Sequence, residues 1–144
     1  MTPKEFYSSK WPTYSVSADG WSRGVQTPII LRIVTPDGFL VNESAADSFL
    51  RMQRDSGYII RLNRAYDSFA NQQALYDAYV AAKAAGKQAV LAAKPGYSDH
   101  QMGMAIDVRR DNGGRAFVLQ HGHKYGWSHP VKGEPWHAVY SANG

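Results

Sequence analysis

The order of apolar and polar positions divides the chain into short segments. "PIILRIVTPDGFLVN" (28–42) places two apolar runs around Thr35-Pro36-Asp37-Gly38, which predicts two short strands joined by a turn. "ESAADSFLRMQRDSG" (43–57) predicts a helix: Ala45, Phe49 and Met52 share a face, Ser44 can cap it, and Gly57 can end it. "YIIRLN" (58–63) predicts a strand. Phe69, Leu75, Tyr76, Tyr79, Val80 and Lys83 follow helical spacing within 68–87, and Gly86 can close that helix. A strand at 105–109, a helix at 114–126 and a last strand at 136–141 complete the pattern. Residues 1–27, rich in Ser, Tyr, Trp and Gly, carry no clear period and read as an irregular lead-in. Helices and strands mix without a regular strand–helix–strand alternation. The expected class is therefore α+β, a small, mostly antiparallel sheet with helices packed around it.

The 144 residues suit one domain spanning 1–144, with 44% hydrophobic and 19% charged residues, an ordinary globular balance. A chain of this length buries roughly two thirds of its unfolded surface and needs no disulfide to fold. Cysteine is absent, which excludes thiolate metal sites and cysteine nucleophiles; any metal must use His, Asp, Glu or backbone. The N-terminal stretch has no apolar run of signal-peptide length, and no segment approaches a membrane span. The expectation is a monomer made in the cytoplasm, not inserted in a membrane, and let out by something else if it works outside. The net charge of +4 and a pI near 9.4 point to an anionic partner, nucleic acid or cell-wall polymer. The basic residues are scattered and Arg109-Arg110 is the densest spot, which argues against nucleic acid.

Candidate chemistry sits in "SDHQMGMAIDVRR" (98–110), where His100 and Asp107 bracket small and apolar residues. On one helix they would lie about 10.5 Å apart along the axis, too far to share an ion. On one straight strand their odd separation would put them on opposite faces. Both reach one point only if the chain bends between them, and Gly103 permits the bend. His100 is then expected on a loop entering the strand that holds Asp107, with small Ala105 leaving room. A second cluster, "GEPWHAVY" (133–140), carries Glu134 and His137 with Pro135 between them, and proline marks a bend or strand start. Two imidazoles and a carboxylate make a three-ligand zinc set with an open fourth position, and a further carboxylate can serve as general base. His121, His123 and His129 have weaker claims.

The first cluster resembles the Ser-x-His-x-x-Gly-x-Ala-x-Asp motif of VanY-type D-alanyl-D-alanine carboxypeptidases and phage L-alanyl-D-glutamate endopeptidases, and "EPWH" resembles their closing Glu-x-Trp-His motif. The motif order and "YGW" (125–127) also fit, and the likeness spans about residues 40–141. The resemblance implies one zinc ion (Zn2+) held by His100, Asp107 and His137, with Glu134 as catalytic base. It implies that Ser98 hydrogen-bonds the substrate and that Gln72 keeps its place in the site. One departure stands out. Many members carry Gly-Tyr-Arg-Ser-Phe-x-x-Gln, whereas this chain reads "AYDSFANQ" (65–72), with Asp67 where an arginine would stand. Arg64 and Arg61 lie just upstream and are candidates to supply the missing charge, Arg64 being favoured although extended backbone would turn it away from position 67. Tyr97, Trp127 and Trp136 are candidates to line the groove.

These readings together imply a zinc peptidase that cuts stem peptides of peptidoglycan, an anionic wall polymer, and that is released at phage lysis or carried on a virion. The rivals are a non-catalytic zinc-containing wall-binding module, which an intact Glu134 disfavours, and a basic nucleic-acid-binding domain, which the paired motifs disfavour.

Overall fold

The computed structural model describes residues 1–142. Two antiparallel sheets carry the strands. β1 (Ser15–Ser22), β2 (Val25–Ile33) and β3 (Leu40–Asn42) form the first, in that order. β4 (Leu62–Arg64), β5 (Ala105–Val108), β6 (Trp127–Ser128) and β7 (His137–Tyr140) form the second, ordered β4-β5-β7-β6. The helices are α1 (Pro3–Tyr7), α2 (Glu43–Asp55), α3 (Phe69–Ala84) and α4 (Gly114–His121).

α2 forms the middle of the core. Its Ala45, Ala46, Phe49 and Met52 are fully buried against Val34, Val41, Ile60, Ile106 and Trp127. Full burial of a side chain such as Phe49 or Met52 contributes about 1.5–3 kcal/mol. The helix is capped by Asn42, whose Oδ1 accepts from the Ser44 amide at 3.0 Å; Ser44, expected as the cap, lies two residues further on, already inside the helix. Buried Gln53 holds the following segment by pairing both backbone groups of Ile60, at 2.9 and 2.8 Å. That segment is not a strand over 58–63 as the apolar run suggests. Gly57 and Tyr58 both take positive φ, so pairing begins only at Leu62.

The lead-in is also more ordered than its composition indicates. β1 pairs with β2 along all eight of its residues, and the hairpin turns at Arg23-Gly24, both at positive φ as a two-residue turn of this hand requires. β2 therefore starts at Val25, ahead of the apolar run. A hairpin whose strand reads "SVSADGWS" is stabilised by its partner rather than by its own pattern. β6 is likewise outside the expected elements, and the expected helix over 114–126 is α4 followed by a tighter turn over Gly122–Tyr125.

α3 forms where its spacing predicts, with Ser68 Oγ accepting from the Asn71 amide as its cap. Its apolar residues do not enter the core. Phe69, Leu75 and Val80 are exposed, and among its described residues only Gln72 is buried. The helix instead stands as a wall beside the second sheet.

Candidate metal centre

The register of three neighbouring strands makes the site. Asp107 on β5 lies opposite His137 on β7 and opposite Arg64 on β4, so one row across the sheet carries all three side chains. His100 joins them from the tight turn Asp99–Met102, which precedes β5. Gly103 ends that turn at φ +70, and a Cβ there would sit 2.6 Å from the Asn42 backbone nitrogen. The bend expected at Gly103 is thus present, and only glycine fits it.

His100, Asp107 and His137 offer donor atoms that all lie within 4.8 Å of one another. Asp107 Oδ1 is 3.1 Å from both His100 Nε2 and His137 Nδ1. His100 Nδ1 lies 2.7 Å from the Ala65 carbonyl, which fixes the ring and leaves Nε2 facing the centre. Burial would raise the Asp107 carboxyl, but hydrogen bonds with His100 and His137 and the charges of His100 and Arg64 outweigh it and hold it well below the usual carboxylate range. Two imidazoles and one ionised carboxylate converging on one point suit a single divalent ion such as zinc, bound through nitrogen and oxygen.

Glu134 faces the same cleft as the three donors, together with Ser98, Gln72, Trp136 and Tyr97. It gets there by a turn: Glu134 N donates to the Val131 carbonyl and His137 N to the Glu134 carbonyl, at 3.2 and 3.1 Å. Ser98 Oγ accepts from the His100 amide at 3.2 Å and so also caps the ligand turn.

Arg64 turns inward because β4 is bulged. Leu62 faces Val108 and Arg64 faces Asp107, two residues against one, so the alternation that would have pointed Arg64 away is broken. Its Nη2 and Nε hold Asp67 Oδ2 at 2.6 and 3.0 Å, and its Nη1 reaches Asp107 Oδ2 at 3.3 Å. Gln72 Oε1 accepts from the same guanidinium at 3.3 Å, and Gln72 Nε2 donates to Ala93 O. Arg61 is elsewhere, donating to Tyr58 O and lining a separate cleft beside Tyr7.

Other aromatic and histidine candidates part ways. Trp127 is 1% exposed and donates to Ser48 Oγ, so it belongs to the core rather than the groove. His121 and His123 lie at the end of α4, away from the cleft. His129 is held below the ordinary histidine range by burial and by nearby His137. The residue missed from the sequence is Arg115, in the first turn of α4, whose Nε donates to Val108 O at 3.1 Å beside the site. No local motif marks it.

The D-alanyl-D-alanine carboxypeptidase (VanY) family model matches residues 39–143. The chain belongs to this family. Membership makes it a metallopeptidase, as the donor set and Glu134 suggest. No curated protein matches it closely. Solved structures share the VanY fold. VanYB in complex with D-alanine-D-alanine is 21% identical with a TM-score of 0.69, and 83% of each chain is covered. The E175A mutant of the vancomycin-resistance D,D-pentapeptidase VanY, in complex with Zn(II), is 23% identical with a TM-score of 0.63, covering 76% of this chain and 77% of that one. DacB from Streptococcus pneumoniae D39 is 26% identical with a TM-score of 0.52, covering 71% and 67%. The VanY match begins at Phe39, so α1, β1 and β2 lie outside it.

Proposed function

We propose that this protein hydrolyses peptide bonds in peptidoglycan stem peptides, with one zinc ion held by His100, Asp107 and His137. The observation that carries the reading is the convergence of those three donors at the foot of a cleft that Glu134 also lines. Zinc at such a site supplies Lewis-acid chemistry, polarising a carbonyl and activating water. Glu134 takes the proton of the attacking water on its carboxylate and passes it to the nitrogen of the leaving amine. Arg64 supplies positive charge beside the scissile carbonyl, where negative charge develops, and Asp67 fixes its guanidinium. The Ser98 hydroxyl hydrogen-bonds a peptide group of the substrate, and Trp136 packs against it.

The finer reading is a phage lysis enzyme. Its support is the likeness of the paired motifs to phage endopeptidases and a net charge of +4, suited to an anionic wall. Among the described residues no helix is long and apolar enough to cross a membrane.

Digestion of purified cell walls tests the proposal. The zinc-loaded protein should release new amino groups, and mass spectrometry of the fragments names the bond. Glu134→Ala should keep zinc and fold while activity falls about 100- to 10,000-fold, the usual worth of a general base. A wall-binding module would release nothing in either form, and a variant as fast as the parent removes Glu134 from the chemistry.

A further inference from the structure

The cleft does not end at the metal donors. Beyond Asp107, Arg64 and Trp136 it opens into a second hollow of about 550 Å³. Leu75, Tyr79, Val90 and neighbouring alanines make its walls apolar, and Arg115 stands at its edge. Arg64, Asp107 and Trp136 line both hollows, so the two are continuous past Asp107, with Ser98 lining one and Arg115 the other.

The two arginines of this hollow are not equivalent. Arg64 is engaged by Asp67 and Asp107. Arg115 spends only its Nε, on Val108 O, and has no carboxylate partner among the described residues. That bond ties it to the end of the strand that carries Asp107, and it is half-buried rather than free in solvent. Its two terminal nitrogens remain for a ligand, and a guanidinium presents them in the fork geometry that matches a carboxylate. A chamber walled by alanine, valine and leucine suits the methyl groups of short alanine-rich peptides.

We propose that Arg115 recognises a free carboxylate of the substrate and so sets which stem-peptide bonds this chain cuts. The assignment rests on the peptidase reading above. Two sources carry the same chemistry: the C-terminal carboxylate of a peptide ending in D-alanine, and the α-carboxylate of the D-glutamate next to L-alanine.

The test uses the zinc-loaded protein and two pairs of synthetic peptides. One pair ends in D-Ala–D-Ala as the acid or the amide. The other contains L-Ala–D-Glu, blocked at its C-terminus, with the α-carboxyl free or amidated. The wild type should prefer the acid over the amide in one pair by about 10- to 100-fold, mostly in KM, the range of a hydrogen bond to a charged group. Arg115→Gln should slow that acid to the rate of its amide, leave the amide unchanged and retain zinc; Arg115→Lys should restore part of the preference. The pair that shows the effect names the source. Equal rates for acid and amide in both pairs overturn the assignment while the peptidase reading stands, as does a preference that survives Arg115→Gln, or a loss that acid and amide share. Should Arg115→Gln fail to fold, the wild-type preference and the lysine variant still decide. A wild type that cuts none of the four peptides overturns the peptidase reading and this assignment together.

Discussion

At the scale of single residues, Asp67 is held by the neighbouring Arg64 guanidinium. On the proposed reading Asp67 stands where the resembled motif has an arginine, and Arg64, three residues earlier and paired with Asp67, supplies the guanidinium. The pair is only partly exposed, so its attraction is less screened than that of a surface ion pair. Asp67 is tied in turn to the ligand turn, its amide donating to the His100 carbonyl at 3.0 Å. Losing one electrostatic donor at a developing charge costs about 100- to 1,000-fold in turnover. Arg64→Ala should therefore fall by that factor in wall digestion with zinc retained. Asp67→Ala should fall less, because the arginine remains although less firmly aimed. Rates and metal content of the two variants, measured side by side, check the order; an active Arg64→Ala beside an inactive Asp67→Ala reverses the roles.

At the scale of elements, the turn Asp99–Met102 and the strand β3 depend on one another. Asn42 N donates to the Gly103 carbonyl at 2.9 Å, and Asn42 Nδ2 donates to Met102 O at 3.0 Å, while Asn42 Oδ1 caps α2. One residue thus joins the core helix to the turn that holds His100. Gly103→Ala would place a Cβ 2.6 Å from that backbone at a left-handed φ. Backbone strain of this kind costs of order 1–3 kcal/mol. The variant should lose thermal stability and bind zinc more weakly, since His100 moves with the turn; calorimetry and zinc titration measure the two. Unchanged stability with unchanged affinity would show that the turn tolerates the shift. The hairpin β1–β2 braces two further segments: Gly24 N donates to Gly96 O ahead of the ligand turn, while around the start of α3 Trp21 packs on Phe69 at 4.7 Å between ring centres and Tyr66 Oη donates to Asp19 O.

At the scale of the whole molecule, the N-terminal segment packs against the end of α2 and the residues that follow it. Phe6 is 3% exposed, and Tyr7 stacks on Tyr58 and accepts from Gln53 Nε2 at 2.9 Å. Burial, offset in part by the Gln53 bond, pushes the Tyr7 hydroxyl up to about 12. An unfolded tyrosine ionises near 10. The folded state holds the proton longer, so this contribution is fully present below about pH 10 and is lost as pH rises towards about 12. Alkaline unfolding should steepen across that window, and Tyr7→Phe should flatten it. Chemical denaturation at stepped pH reads the difference; parallel curves would place the alkaline loss in other tyrosines.

The sequence by itself determined the local chemistry. His100, Asp107, Glu134 and His137 sit in two short motifs whose glycine and proline dictate bends, and the periods of α2 and α3 are written in their own residues. Tertiary structure decided what depends on a partner. β1 forms because β2 pairs with it, not because "SVSADGWS" alternates. Asn42 rather than Ser44 caps α2 because the chain turns from β3 at that residue. Arg64 instead of Arg61 enters the site because a bulge against β5 reverses its facing. The spacing of α3 predicts a helix, yet Leu75 and Tyr79 line a cleft and Phe69 packs on Trp21, because spacing marks which side chains share a face and not what that face meets. Arg115 was invisible for the same reason: its neighbours in the cleft are distant in sequence and meet it only when β5 and α4 fold against one another.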